Sequence, residues 1–215
     1  MLAEIRGLKF TVKGGEGSGW FAPPKGTHEG EAPSSQSDLE RTVGAYLEDM
    51  GIPFEHTDGL SVSMSLPSRF YKEDKDGFWE WHDPIEGKRP GRTAATYNSK
   101  TQTIHISQGV FTGKNELSLG HVLSHEVGHH VHRNLLKNPL AIENKFGDKA
   151  VPAIKQFTNL HDFGLRKYSI SSGRELIADS YRVWLRGNDS QFSNLQNMIT
   201  KTTGYDLIKL FGERP

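Results

Sequence analysis

Ser124-His125-Glu126-Val127-Gly128-His129-His130 places two histidines four residues apart, with a glutamate directly after the first. On a helix, positions i and i+4 share one face a turn apart, so both imidazoles can reach one metal ion. Glu126 projects about 100° further round the helix, where its carboxylate can meet a water at that ion. With His125 as origin, Leu119, Leu123, Val127, Val131 and Leu135 occupy one broad arc opposite the imidazoles. His121, His125, His129 and His132 share the polar face. An apolar back and a histidine front suit a helix that holds its ligands firmly along a cleft. Five of the ten histidines lie between 121 and 132, so a solvated histidine-rich face is the plain alternative. The amphipathic register and an acidic partner downstream favour a site.

Two histidines and an open position for water call for a third protein ligand on zinc. A second histidine-rich continuation, H-E-x-x-H-x-x-G-x-x-H, is excluded because His132 and Leu135 stand at its glycine and final histidine positions. The better candidate is Glu175 in Arg174-Glu175-Leu176-Ile177-Ala178-Asp179. Glu175 and Asp179 again share one helix face, so Glu175 can bind the metal while Asp179 accepts the free N–H of a ligating histidine, His125 first. Other uses stay open. Ser172-x-x-Glu175 also fits a capping box, and Asp179 can pair with Arg182 on its own helix. His121 and His132 are minor alternatives as ligands.

Around this centre the sequence predicts an α+β fold. Residues 1–36 read as a flexible Gly/Pro-rich tail: Leu2 to Val12 could form a short strand or helix, and Gly14 to Gly30 holds six glycines and Pro23-Pro24. The apolar Trp20-Phe21-Ala22-Pro23-Pro24 could dock on the domain or a partner, and the tail could tether the chain to a larger assembly. The folded domain is expected over 37–215. Ser37-x-x-Glu40 fits a capping box before a stripe of Leu39, Val43, Tyr46, Leu47 and Met50 closed by Gly51. Leu60 to Leu66 alternates as a half-buried strand. Asp76-Gly77 marks a hairpin between Arg69-Phe70-Tyr71 and a Trp-rich arm, Phe78 to Trp81, expected in the core. A second hairpin joins Ala94–Tyr97 to Thr101–Ser107. The metal helix is expected over 115–137. Asn138-Pro139 and Val151-Pro152 restart helices, 161–172 is a loop, and 172–186 is a helix stopped by Gly187. Two short helices, near 190–200 and 204–211, finish the chain. The expected order is a helix, then a small mixed sheet, then a mostly helical C-terminal half.

Composition narrows the function. Lys and Arg number 26 and so do Asp and Glu, so no global field points to nucleic acid or an anionic membrane. Cysteine is absent, which excludes disulfides, thiolate ligands and a cysteine nucleophile. No apolar run approaches a membrane span. Glu4, Arg6 and Lys9 do not suit a Sec signal peptide, so a cytoplasmic location or a non-Sec route of export is expected.

His125-Glu126-x-x-His129 followed by Glu175-x-x-x-Asp179 resembles the gluzincin branch of the zincin metallopeptidases. Tyr168, seven residues before Glu175, narrows the resemblance to the anthrax lethal factor catalytic domain and the Pro-Pro endopeptidases. The resemblance covers roughly residues 95–187. It implies a zincin-like domain, Zn2+ held by His125, His129 and Glu175, Glu126 as general base, and Tyr168 stabilising the oxyanion. A loop-anchor role for Tyr168 is the competing reading. The resemblance further implies a protein or peptide substrate, expected to pair as an extended strand beside Thr101–Ser107. Two other functions are carried beside metalloendopeptidase: a catalytically idle zincin-like binding or assembly module, and a toxin-like protease effector of narrow specificity.

Overall fold

The computed structural model describes residues 9–11, 33, 35–64, 71–73, 79–81, 92–111 and 118–215. The chain is α+β and divides into two compact units, Met1–Met50 with Thr57–Leu123, and Gly51–His56 with Ser124–Pro215. Among the described residues the first holds all the strands: β1 (Lys9–Thr11), β2 (Ser61–Ser63), β3 (Tyr71–Glu73), β4 (Trp79–Trp81), β5 (Arg92–Thr93), β6 (Ala95–Asn98) and β7 (Thr103–Ile106). It also holds helix α1 (Gln36–Asp49).

The expected apolar stripe of α1 is buried throughout, from Leu39 and Val43 to Met50. Its cap is Ser35 rather than Ser37, with Ser35 Oγ accepting from the Asp38 amide at 3.1 Å. Gly51 follows at φ +65°, the left-handed turn a helix end takes most cheaply with glycine. Leu2–Val12 contributes a strand over 9–11, parallel to β2.

Both hairpins form. Tyr71 pairs with Trp81 and Glu73 with Trp79 across β3 and β4, while β5 extends that sheet to three strands. Ala95 pairs with Ile106 and Asn98 with Thr103 across β6 and β7. Asn98 Oδ1 accepts from the Lys100 amide at 3.0 Å, which sets the turn. The 76–77 turn, the segment 20–24 and the side chains of the Trp-rich arm lie outside the described residues.

The larger sheet is mixed, in the order β1-β2-β7-β6, and this corrects one expectation. β7 is parallel to β2 on one side and antiparallel to β6 on the other. Its amides and carbonyls serve neighbours on both sides, so no extended substrate can add beside Thr101–Ser107.

The second unit is helical. Helix α2 (Leu119–His130) enters it at Ser124 and runs into a π-helical turn, Val131–Leu135. After it come α3 (Pro139–Lys145), α4 (Val151–Ile154), α5 (Gly173–Arg186), α6 (Asp189–Thr203) and α7 (Leu207–Phe211). Pro139 starts α3 as expected, following Asn138 at φ +57°. Ser172 caps α5, its hydroxyl accepting from the Glu175 amide at 3.2 Å. Residues 160–170 are irregular apart from two short 3₁₀ turns, Leu160–Phe163 and Tyr168–Ile170.

Helix α5 is the axis of this unit. It buries Leu176, Ile177, Ala178, Tyr181, Val183, Trp184 and Leu185. Each large aliphatic side chain removed from water contributes about 1.5–3 kcal/mol. Tyr181 and Trp184 stack obliquely at 5.2 Å, and Phe211 of α7 meets the Tyr181 ring edge-on at 5.3 Å. The Trp184 indole donates to the Gly212 carbonyl at 2.9 Å, closing the C-terminal segment over the core.

Among the described residues, no helix is long and apolar enough to cross a membrane.

Candidate metal centre

The site is built where α2 crosses α5. One glycine makes this approach possible, and a second lets α5 begin close against α3. A Cβ at Gly128 would stand 2.7 Å from the Ala178 carbonyl oxygen and 2.9 Å from the Ala178 Cα. A Cβ at Gly173 would stand 2.2 Å from the Glu143 carbonyl oxygen, at the α5 N-terminus. Both obstacles are backbone and cannot swing away. Gly128→Ala is therefore expected to cost about 1–3 kcal/mol by overpacking and to weaken metal binding as the helices separate. Urea unfolding at wild-type midpoint would show that the crossing tolerates a methyl group.

At this crossing, ligand atoms of His125, His129 and Glu175 lie within 4.8 Å of one another, all three side chains largely buried. Glu175 Oε2 stands 3.2 Å from His125 Nε2 and 3.4 Å from His129 Nε2. These residues form a buried group able to hold a metal ion. Capping and ligation turn out to be compatible: Ser172 Oγ takes the Glu175 amide, leaving its carboxylate free to face the imidazoles.

Asp179 does both things open to it. Its Oδ1 accepts from His125 Nδ1 at 3.2 Å and from Arg182 Nε at 2.7 Å. Its Oδ2 accepts from the Ser169 hydroxyl. Ser169 Oγ also accepts from the Arg166 amide at 2.8 Å. A terminal nitrogen of Arg182 donates to the Gly164 carbonyl, so the 164–170 loop is tied to α5 at two points. That loop carries Tyr168, exposed over 64 % of its surface, with its ring 6.4 Å from that of His125.

The other histidines do not join the centre. His132 is fully buried, away from the polar face expected for it, and its Nε2 donates to the Pro139 carbonyl at 3.0 Å. Leu135, expected on the buried arc, is 40 % exposed. The π turn widens the helix directly after His130, so the 3.6-residue register no longer applies to either residue. His121, half-buried at the start of α2, is not in the cluster of possible ligands.

Electrostatics fit a cation. Burial tends to hold Glu175 neutral, but hydrogen bonds from His125 and His129 outweigh it and keep its carboxyl below the ordinary range. Asp179 is lowered in the same way: burial is outweighed by His125 and then Arg182. Burial alone would lower His125, yet the Asp179 and Glu175 hydrogen bonds raise it to about 10. In metal-free protein, an imidazolium thus takes the cation's place between the carboxylates. Burial lowers His129 to about 4, so it is neutral and ready to ligate. Its buried Nδ1 has no hydrogen-bond partner among the described residues, and neither has Glu126 Oε2. Burial raises Glu126 to about 7, with Glu175 adding to the rise and His125 opposing it. Desolvation of the phenol, followed by the charges of Glu175 and Glu126, pushes Tyr168 above its ordinary value.

The sign of metal linkage follows. Between the Glu126 value of about 7 and the His125 value of about 10, metal-free protein carries a proton on His125 that a metal ion must displace. Apparent affinity should therefore rise with pH in this window by about tenfold per unit. Calorimetry in buffers of different ionisation enthalpy should show about one proton released per ion at pH 8. No release would mean that His125 keeps its proton and does not ligate.

Sequence reasoning passed over Gly128, Gly173 and Ser169, and it weighed Arg182 only as a competitor for Asp179. Comparison with protein-family models, curated proteins and solved structures finds no match to this chain.

Proposed function

We propose that the chain is a zinc-dependent metalloendopeptidase with a zincin-like domain of the gluzincin kind. The observation that carries this reading is the convergence of His125, His129 and Glu175, with a buried glutamate titrating near 7 beside them. Two imidazoles from one helical turn and one carboxylate are a donor set suited to zinc with a position left for water. Zinc would supply Lewis acidity, lowering the pKa of a water and polarising the scissile carbonyl.

The chain's own residues do the rest. Glu126 accepts the proton of the attacking water on its unpartnered Oε2 and passes it to the leaving amine. A pKa near the working pH suits a group that must do both. Asp179 holds His125 with its Nε2 toward the centre, while Ser169 and Arg182 hold Asp179. Tyr168 donates its hydroxyl proton in a hydrogen bond to the developing oxyanion, and its raised pKa keeps that proton in place at neutral pH.

Turnover of an internally quenched peptide library should vanish with a chelator and return with zinc. Activity that survives exhaustive chelation would refute the zinc mechanism. Metal binding without cleavage of any peptide would instead favour an idle binding module. Tyr168→Phe should lower kcat by about 10²-fold with metal content and melting temperature held. Near-normal turnover would make Tyr168 a loop anchor.

A further inference from the structure

Arg174 stands next to the metal ligand Glu175 and points its guanidinium at it: one terminal nitrogen lies 3.4 Å from Glu175 Oε1. The contact uses the carboxylate oxygen turned away from the two histidines, since Oε2 is the atom facing them. It is long and weak for so strong a donor. A guanidinium offers five N–H groups in a planar fork matched to a carboxylate, and the Arg174 side chain is 53 % exposed. An exposed pair of this kind is worth little to the fold. Arg182, by comparison, is 13 % exposed and already committed to Asp179 and to Gly164. Arg174 is thus a half-exposed cation beside the centre whose guanidinium makes a long contact to Glu175.

Loading gives the centre a positive surplus. With the imidazoles neutral as ligands, the carboxylates of Glu126, Glu175 and Asp179 supply three negative charges, while a divalent ion and the guanidiniums of Arg174 and Arg182 supply four positive ones. Asp179 and Arg182 cancel each other inside the protein, so the surplus falls at the open rim, where Arg174 is. Lys167, exposed and directly before Tyr168, adds a further positive charge to the loop beside the site.

Resting on the peptidase reading above, we propose that Arg174 determines specificity by binding a substrate carboxylate close to the scissile bond. The carboxylate belongs either to an acidic side chain or to a nearby chain terminus. Both present the same planar anion to the guanidinium fork, which gives a bidentate, charge-assisted pair in a partly desolvated place.

The test uses the zinc-loaded full chain and three internally quenched peptide pools. One carries a fixed Asp, one a fixed Asn with an amidated end, and one the same Asn with a free terminal carboxylate two residues beyond the scannable bonds. Wild-type kcat/KM for the Asp pool or the free-carboxylate pool should exceed that for the amidated Asn pool by about tenfold or more. Whichever pool gains identifies the source of the carboxylate. Arg174→Gln should bring the ratio to within about twofold of one, and Arg174→Glu should shift preference to a matching Lys pool. A pair of hydroxamates, one with a carboxylate and one with the carboxamide, should show the same advantage and the same loss in calorimetric Kd, without any turnover. Peptides cut with no carboxylate preference, or a preference that survives Arg174→Gln, would overturn the inference and leave the peptidase standing. No cleavage and no hydroxamate binding by zinc-loaded protein would overturn both.

Discussion

Glu126→Ala should keep its metal and lose peptide hydrolysis by about 10²- to 10⁴-fold, the usual worth of a positioned acid–base group. The expectation follows from what Glu126 touches. Its Oε2 is buried with no partner among the described residues, whereas the atoms that converge as ligands come from His125, His129 and Glu175. Removing the carboxylate therefore takes away a proton carrier and leaves the donor set whole. Metal content by elemental analysis beside a steady-state assay separates the two effects. Turnover within tenfold of wild type would remove Glu126 as the base. The variant should also be no less stable than wild type near pH 7, because a buried, half-ionised carboxyl without a partner is costly to fold around.

Glu175→Ala should do the reverse, losing the metal first and activity as a consequence. Partners that only orient a ligand cost about 10- to 100-fold in metal affinity when removed, and a direct ligand should cost more. Removing this carboxylate also takes away the hydrogen-bond acceptor between two imidazoles. His125 then keeps the Asp179 hydrogen bond and the nearby Glu126 charge to stabilise its proton. Titration with a chromophoric zinc competitor gives the affinity directly. If Glu175 served α5 only as a capping residue, the variant would lose about 1 kcal/mol of stability and bind zinc as before.

Legibility in the sequence followed the range of the physics. The relation of His125, Glu126 and His129 is local, set by the helical repeat, and the structure places these side chains as that repeat requires. Glu175 was reachable because metal chemistry demands a third donor and because Ser172 announces a helix start. Asp179 follows by one turn. Hairpins were readable from turn residues and alternation, as at Asn98, whose side chain caps the turn it predicts. What was not readable depends on a partner element. Gly128 looks like any helical glycine until Ala178 crosses it. Ser169 lies in a loop with no period, and only the fold brings its hydroxyl to Asp179. The choice between Ser35 and Ser37 as cap turned on two serines of nearly equal chemistry. The expectation that substrate pairs beside Thr101–Ser107 came from the family resemblance alone, and the parallel pairing of β7 with β2, across some forty residues of intervening chain, is reported by no local pattern. His132 was misplaced because a π turn interrupts the register that placed it.

The central claim is that one metal ion sits among His125, His129 and Glu175, and anomalous diffraction at the zinc edge tests it most directly. Crystals of protein expressed in zinc-replete medium should show one strong anomalous peak per chain, within about 2.0–2.2 Å of a nitrogen of each imidazole and an oxygen of Glu175. The peak should disappear on crossing below the edge. A peak at another cluster, or none at this one with His125 still hydrogen-bonded to Glu175, would contradict the account.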